Sequence, residues 1–343
     1  MGKKYPDSAI YYAQKALILA QSKVEKAKAN RLKAFYASKM GYYGLAIQHF
    51  QKAYQLFTDQ VRKAAMLNDM AYCYKQIGDH LAAIPIAAKA TQNFARLGDT
   101  TKQIQALNLL GNCYRTQKNF WAADSSFKVA FKLIKQKSGE LISDLYGDFA
   151  MLQAKQLKYK LAVHYQKLSL ATIPKKRPTK TSIILIKLTR FYLYAEKLDS
   201  AQYYLTHALA IQPKSLQARV HLYATKGLLH FMNRETAKGQ AAYRVCDTVL
   251  RQLGSHSQNM IQQKFVRKTA YDVYRLGYEM LNHLWFYGND KARFAQTRDW
   301  FKQRINVEQG RYKDIQVSVA LKDSLVIERT RPKINKQVKY TVN

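Results

Sequence analysis

A short pattern of small and large side chains recurs along this chain and restricts its fold more than any other feature. In each copy a small residue is followed by a large one four positions later and by another small one three positions after that. These spacings put all three residues on one helix face, where small side chains admit a neighbouring helix and the large one fills the gap. The pattern predicts an all-α chain of paired helices. Its copies are Ala46, Phe50 and Ala53; Ala123, Phe127 and Ala130; Ala201, Leu205 and Ala208; and the weaker Ala162, Gln166 and Ser169.

A second helical stretch precedes each copy, and turn signals separate the two helices. Residues 110–114 read Leu-Gly-Asn-Cys-Tyr and correspond to Met-Ala-Tyr-Cys-Tyr at 70–74. The equivalent Cys73 and Cys113 are therefore predicted to be small buried core residues. Asp79 and Asp199 are predicted to cap the helices that follow them, because a carboxylate accepts hydrogen bonds from free N–H groups of the first turn. Pro213 should end the preceding helix.

This arrangement resembles the tetratricopeptide repeat, with matches at Gly111, Tyr114, Ala123, Phe127, Ala130 and Pro213. The resemblance implies a right-handed superhelical solenoid of antiparallel helix pairs, which grows by stacking units that cannot bury their apolar faces alone. It implies a non-enzymatic scaffold for protein–protein interaction. The repeats fall near 27–60, 64–97, 104–137, 143–176, 182–215 and 220–253, with a partial one at 5–22, a degenerate pair at 262–310 and a C-terminal helix and basic tail at 311–343.

A narrower resemblance concerns both ends of the chain. Residues 7–17 are similar to repeats in Bacteroidota-type sensor proteins, and residues 312–325 are similar to the helix that leaves the repeat array in those proteins. There the helix leads toward a histidine-kinase or DNA-binding output module. This resemblance implies an alternative function as a stand-alone or truncated sensor module of a two-component-type signalling protein.

The family resemblance also implies which residues line the concave groove. In the first three repeats these positions are cationic, amide-rich and aromatic, and we expect no carboxylate among them. Amides satisfy a peptide backbone, and Lys or Arg side chains bind carboxylates. The expected ligand is therefore a peptide or protein segment that is acidic or presents its C-terminus. The expected groove residues are Lys28, Arg31, Phe35, Lys39, Asn68, Tyr72, Lys75, Asn108, Asn112 and Arg115.

The corresponding positions of the fifth and sixth repeats are apolar instead. They include Ile186, Leu193, Leu228 and Phe231. A partner or a second copy of the chain would cover such a face, but we expect the C-terminal helices of the chain itself to fold back over it.

The formal charge is +35, from 57 Lys and Arg against 22 Asp and Glu. Such an excess attracts polyanions, or it reflects a general enrichment in solvated lysines. Residues 149–195 contain no acidic residue, and Tyr159, Tyr165, Tyr192 and Tyr194 are interleaved with its cations. This combination gives a second alternative, a nucleic-acid-associated repeat protein, although tyrosines at helical spacing more often pack in a core. The predicted basic patch is Lys175, Lys176 and Arg177, which Pro174 and Pro178 bracket, together with Lys180.

Motifs for catalysis, cofactor binding and metal binding are not found in the sequence. It contains no phosphate loop, dinucleotide fingerprint, His-Glu-x-x-His pair or Gly-x-Ser-x-Gly elbow. The three cysteines, Cys73, Cys113 and Cys246, are far apart in the sequence and form no Cys-x-x-Cys pair. No run of apolar residues reaches the length of a membrane span. We therefore expect no enzyme activity, cofactor, metal or membrane span, and a cytoplasmic location. The oligomeric state is left open.

Overall fold

The computed structural model describes residues 6–134, 139–174, 176–255, 260–287, 295 and 297–311, and all their regular secondary structure is helical. The C-terminal tail predicted at 311–343 lies outside the described residues, apart from Arg311. The helices are α1 Pro6–Leu19, α2 Lys23–Lys39, α3 Tyr43–Leu56, α4 Gln60–Ile77, α5 His80–Arg96, α6 Thr100–Thr116, α7 Phe120–Lys132, α8 Glu140–Lys155, α9 Tyr159–Thr172, α10 Pro178–Tyr194, α11 Leu198–Ile211, α12 Leu216–Met232, α13 Thr236–Ser255, α14 Met260–Tyr287 and α15 at 297–311.

The helices form antiparallel pairs that stack into a right-handed superhelical solenoid, as predicted. Each even-numbered helix from α2 to α12 packs against the odd-numbered helix that follows it. Contacts also join α4 to α6, α6 to α8 and α10 to α12, so the first helices of successive pairs lie side by side. The family resemblance implies that the first helices line the concave face of the superhelix. None of the described helices is long and apolar enough to cross a bilayer.

Side-chain caps mark where many helices begin. Ser22 forms a capping box with Glu25, and Asp79 accepts a hydrogen bond from the backbone N–H of Ala82 at 3.1 Å. The predicted cap at Asp199 is wrong. Lys197 occupies the N-cap of α11 without a side-chain hydrogen bond, and Asp199 lies within the first turn, where its charge favours the helix dipole.

The small–large–small pattern forms the interior of the helix pairs. Phe50, Phe127 and Leu205 are almost completely buried, and the alanines of their patterns are fully buried. The helices approach closely at Gly111 of α6, where an added Cβ would lie 2.9 Å from carbon atoms of the Phe127 ring. Only glycine fits this contact without moving the ring. Cys73 and Cys113 are buried free thiols, which confirms their predicted core role.

The weak fourth repeat places polar groups inside the array. Gln166 stands where the other repeats have Phe or Leu, and it is fully buried. Its Nε2 donates to the carbonyl oxygen of Ile184 at 3.3 Å. Ser143 and Ser169 cross-link α8 and α9, since each hydroxyl donates to the other's backbone carbonyl oxygen at 2.7–2.8 Å. These polar groups lie in α8 and α9, between the helices that hold the two largest apolar clusters, and two smaller apolar clusters lie in the same region.

The C-terminal helices close the array. Phe231 of α12 contacts Trp300 and Phe301 of α15, with ring centroids 5.8 and 5.6 Å apart. Val273 and Tyr274 of α14 belong to the same buried cluster. The expectation that the chain itself covers the apolar face of the fifth and sixth repeats is therefore confirmed.

Candidate functional site

The ten predicted groove residues lie on α2, α4 and α6, the first helices of the first three complete pairs. Their positions repeat from helix to helix. Arg31, Asn68 and Asn108 are equivalent, as are Phe35, Tyr72 and Asn112. This register puts amide, aromatic and cationic side chains at equivalent positions of the three helices.

Two partly exposed aromatic rings mark the N-terminal half of the groove. Phe35 is 45% exposed and Tyr72 is 40% exposed. The Nζ atoms of Lys39 and Lys75 lie 5.3 Å and 5.4 Å from the centroids of these rings, within the range of a cation–π contact. Each pair offers a flat apolar surface with a positive charge beside it. Such a surface suits a ligand that carries an apolar side chain next to a carboxylate.

The groove positions of the first three repeats contain no carboxylate, but Asp148 of the following repeat reaches α6 from α8. Its Oδ2 accepts hydrogen bonds from Nδ2 of Asn108 at 2.9 Å and from Nδ2 of Asn112 at 2.7 Å. Asn112 Oδ1 in turn accepts from Arg115 Nη2 at 2.8 Å. Three of the predicted ligand-binding residues therefore form a network with each other and with a carboxylate from the next repeat.

Asp69 of α4 is the second carboxylate that the sequence interpretation missed. Burial raises its pKa to about 6, against a smaller opposing effect of Arg31 and Lys39. Asp69 and Asp148 both follow a family groove position by one residue. Counting Lys28, Arg31, Lys39, Lys75 and Arg115, the groove still has five cations against these two carboxylates.

Two buried amide oxygens of the predicted groove residues have no hydrogen-bond donor among the described residues. They are Oδ1 of Asn68 and Oδ1 of Asn108, at equivalent positions of α4 and α6. An unsatisfied buried acceptor costs about 1–3 kcal/mol, so a donor supplied by a ligand or by rotation of the amide stabilises it. The main-chain N–H groups of an extended peptide are donors of this kind.

Two of the four residues of the predicted basic patch form ion pairs in the folded chain. Lys180 Nζ lies 3.0 Å from Glu140 Oε1 and 2.7 Å from Asp144 Oδ1, and Arg177 Nη2 lies 3.1 Å from Glu140 Oε2. Lys176 is exposed, and Lys175 lies outside the described residues. The acid-free stretch in the sequence is therefore not an acid-free surface, since α8 supplies carboxylates to it.

The tyrosines of the basic stretch are packing residues. Tyr165 meets the ring of Phe149 edge-on at 4.6 Å, and Tyr192 stacks on Tyr204 at 5.4 Å. Tyr159 stacks on Tyr194 at 5.1 Å. These contacts leave no open ladder of rings for nucleobases along the described part of this stretch.

The described residues also show what chemistry the groove lacks. They contain no group of three or more His, Cys, Asp or Glu side chains placed to hold a metal ion. Burial raises the pKa of Cys73 to about 12 and that of Cys113 to about 11, so both remain thiols at neutral pH. The groove is therefore equipped for hydrogen bonding, charge pairing and apolar contact.

Comparison with known proteins identifies the architecture. Residues 62–136, which span α4 to α7, match the family model of the tetratricopeptide repeat. No curated protein sequence matches the chain. Among solved structures, the apo form of RapI superposes with a TM-score of 0.67 at 15% identity, covering 90% of this chain and 81% of RapI.

Two further structures have the same fold. The Rap conjugation gene regulator of plasmid pLS20, in complex with the Phr* peptide, has a TM-score of 0.58 at 15% identity and covers 85% of this chain and 75% of its own. The apo quorum sensor NprR from B. thuringiensis has a TM-score of 0.59 at 13% identity, with 88% and 81% coverage. At these identities the similarity establishes the helical-repeat fold.

Proposed function

We propose that this tetratricopeptide-repeat protein is a non-enzymatic scaffold that binds a peptide or protein segment in the concave groove of α2, α4 and α6. The observation that carries the proposal is the pair of half-exposed rings, Phe35 and Tyr72, each with a lysine beside it on the inner surface. Exposed aromatic side chains in a concave surface are typical of binding sites. The pLS20 Rap structure, which contains a bound Phr* peptide, supports the proposal because it shares this fold.

The preferred ligand is an acidic segment. The five groove cations exceed the two carboxylates, and Asp148 is already occupied by hydrogen bonds from Asn108 and Asn112. The unsatisfied oxygen of Asn68 favours a ligand that presents main-chain N–H groups. A preformed stack of helices lowers the entropy cost of ordering such a segment.

The test is a binding screen with extended peptides of acidic, neutral and basic composition, read by fluorescence anisotropy. Tyr72→Ala should weaken the best peptide by roughly tenfold or more, as expected for an aromatic binding residue. Tyr203→Ala is the matched control, because Tyr203 is 57% exposed on the outer helix α11. Equal affinity of the two variants would remove the groove as the binding site.

Charge selectivity needs its own pair of variants. Arg31→Glu should weaken acidic peptides and leave neutral ones nearly unchanged, since it reverses one groove charge. Arg96→Glu makes the same charge change at an exposed position in the last turn of α5. If both reversals weaken acidic peptides equally, the preference arises from overall charge and not from the groove.

The two alternatives make different predictions. A sensor module would use the same groove and pass the signal of occupancy to a separate output protein. A nucleic-acid-associated protein would be retained on nucleic acid with a steep dependence on salt, because binding releases counterions. The pairing of Arg177 and Lys180 with Glu140 weakens the second alternative.

A further inference from the structure

A cavity distinct from the α2–α6 groove is lined by residues of α8, α9, α10 and α14. Its volume is about 340 Å³, within the lower part of the range of small-molecule sites. Two helices contribute rows of side chains at helical spacing, so the wall is built from rigid elements. The rows are Lys187, Arg190 and Tyr194 from α10, and Leu276, Glu279 and His283 from α14.

Arg190 is a buried cation in this wall without a carboxylate partner among the described residues. Its Nε donates to the hydroxyl of Thr225 at 2.8 Å, and Nη2 donates to the backbone carbonyl oxygen of His221 at 3.1 Å. Both partners are neutral. Burial lowers the pKa of Arg190 to about 10, which leaves the guanidinium charged at neutral pH. A buried charge without a counter-ion is costly, and an anion in the cavity would offset that cost.

The charge of the surrounding wall also favours an anion. Lys187 lies one turn before Arg190 on α10, and Lys155 of α8 adds a third cation. Glu279 is the sole carboxylate lining this cavity in the described part of the chain, and Arg275 Nε lies 3.7 Å from its Oε1. Burial lowers the pKa of His283, so its imidazole is neutral and adds no charge.

The cavity is also lined by aromatic rings. Tyr159 and Tyr194 stack in parallel, with centroids 5.1 Å apart and an interplanar angle of 3°. His283 meets both rings edge-on at 5.3 and 5.7 Å. Phe191 and Leu276 extend this surface. The cavity thus combines a cationic end with a flat apolar wall, so its ligand should carry its charge at one end only.

We propose that this cavity binds an organic carboxylate with an aromatic body, its carboxylate on Arg190 and Lys187 and its ring against the Tyr159–Tyr194 stack. The guanidinium edge pairs with a carboxylate through charge-assisted hydrogen bonds. The ligand is either a free aromatic acid or the C-terminal aromatic residue of a peptide. The site uses none of the α2–α6 groove residues and stands if the groove binds nothing.

Isothermal titration calorimetry of the full chain tests the proposal with two acids and their amides. 3-Phenylpropionate represents a free acid, and N-acetyl-phenylalanine represents a peptide C-terminus. At least one acid should bind about tenfold or more tightly than its amide, because the amide lacks the charge that Arg190 pairs with. Binding of only one acid identifies the source of the carboxylate. Equal binding of acid and amide, or no binding of either acid, overturns the proposal.

Variants locate the site. Lys187→Gln should weaken the acid several-fold, and Lys160→Gln, at an exposed position of α9 outside the cavity, should leave affinity unchanged. Arg190→Gln should abolish acid binding. Far-UV circular dichroism of this variant and of the parent chain shows whether the variant keeps its helical fold. Because loss of fold would also abolish binding there, the decision rests on Lys187→Gln. Equal affinity of the two lysine variants places the ligand elsewhere and refutes the proposal.

Discussion

Gly227→Ala tests whether a missing side chain sets the spacing of α12 and α13. A Cβ at this position would lie 2.6 and 2.8 Å from two carbon atoms of the Tyr243 ring and 3.1 Å from the carbonyl oxygen of Gly239. Tyr243 is 1% exposed, and its ring centroid lies 5.0 Å from that of the buried Phe301. The ring therefore has no free space to enter, and the helices must separate.

Two opposing terms determine the net change in the free energy of unfolding. Alanine is favoured over glycine inside a helix by about 1 kcal/mol. Overpacking a dense core costs about 1–3 kcal/mol, and two contacts below 3.0 Å together with a backbone contact place this site near 3 kcal/mol. The cost of the steric overlap exceeds the gain in helix propensity, so Gly227→Ala should lower the free energy of unfolding by about 2 kcal/mol.

Gly254→Ala in α13 is the matched control. The nearest atom to its added Cβ is Val266 Cγ1 at 4.0 Å, an ordinary van der Waals contact. This variant should therefore keep the helix gain and be unchanged or more stable by up to about 1 kcal/mol. Urea titration followed by far-UV circular dichroism measures both. Equal stability of the two variants would refute the argument that close packing requires glycine at position 227.

Three further changes have expected outcomes on stability. Gln166→Leu should stabilise the protein by about 1 kcal/mol in urea titration, because Oε1 of this buried side chain has no hydrogen-bond donor in the described structure; lower stability would show that the amide is needed. Burial raises the pKa of Asp69 from its ordinary value of 3.8 to about 6, so the folded state binds more protons than the unfolded state between these pH values. The free energy of unfolding should therefore fall as the pH rises from 3.8 to 6. The expected fall is about 3 kcal/mol, at 1.36 kcal/mol for each unit of pKa. Asp69→Asn should remove this fall in melting curves taken across that pH range, and an unchanged profile would contradict the burial argument. Burial lowers the pKa of His221 from its ordinary value of 6.5 to about 3, so the unfolded state binds more protons than the folded state between these pH values. The free energy of unfolding should therefore fall as the pH drops below 6.5, by about 3 kcal/mol near pH 4.5. His221→Asn should reduce this acid sensitivity in the same assay, and a parent chain insensitive to acid in that range would refute the assignment.

Residue spacing was sufficient to predict the paired helices and the buried cores. Phe50 and Phe127 are buried between small residues as expected, and the apolar positions of the fifth and sixth repeats are covered by α14 and α15. The error at Asp199 is local. An acidic residue near a helix start fits the cap or the first turn, and the sequence does not distinguish positions one or two residues apart.

The electrostatic predictions were less successful. The basic patch was inferred from a long acid-free stretch, but Glu140 lies 40 residues before Lys180 in the sequence and pairs with it in space. The groove was expected to lack carboxylates, but Asp148 lies 40 residues after Asn108 and accepts its hydrogen bond. Both carboxylates come from α8, which belongs to the repeat after that of Asn108 and the repeat before that of Lys180.

By itself the sequence determined the helical repeats and the small and large residues that pack them, because each follows from a helical period read within about 20 neighbouring residues. Only the tertiary structure decided which charges are neutralised and where the cavity beside Arg190 lies. Charge pairing and empty space depend on distances between side chains on different helices. Those distances follow from how each repeat packs on the next, which a pattern within one helix does not encode.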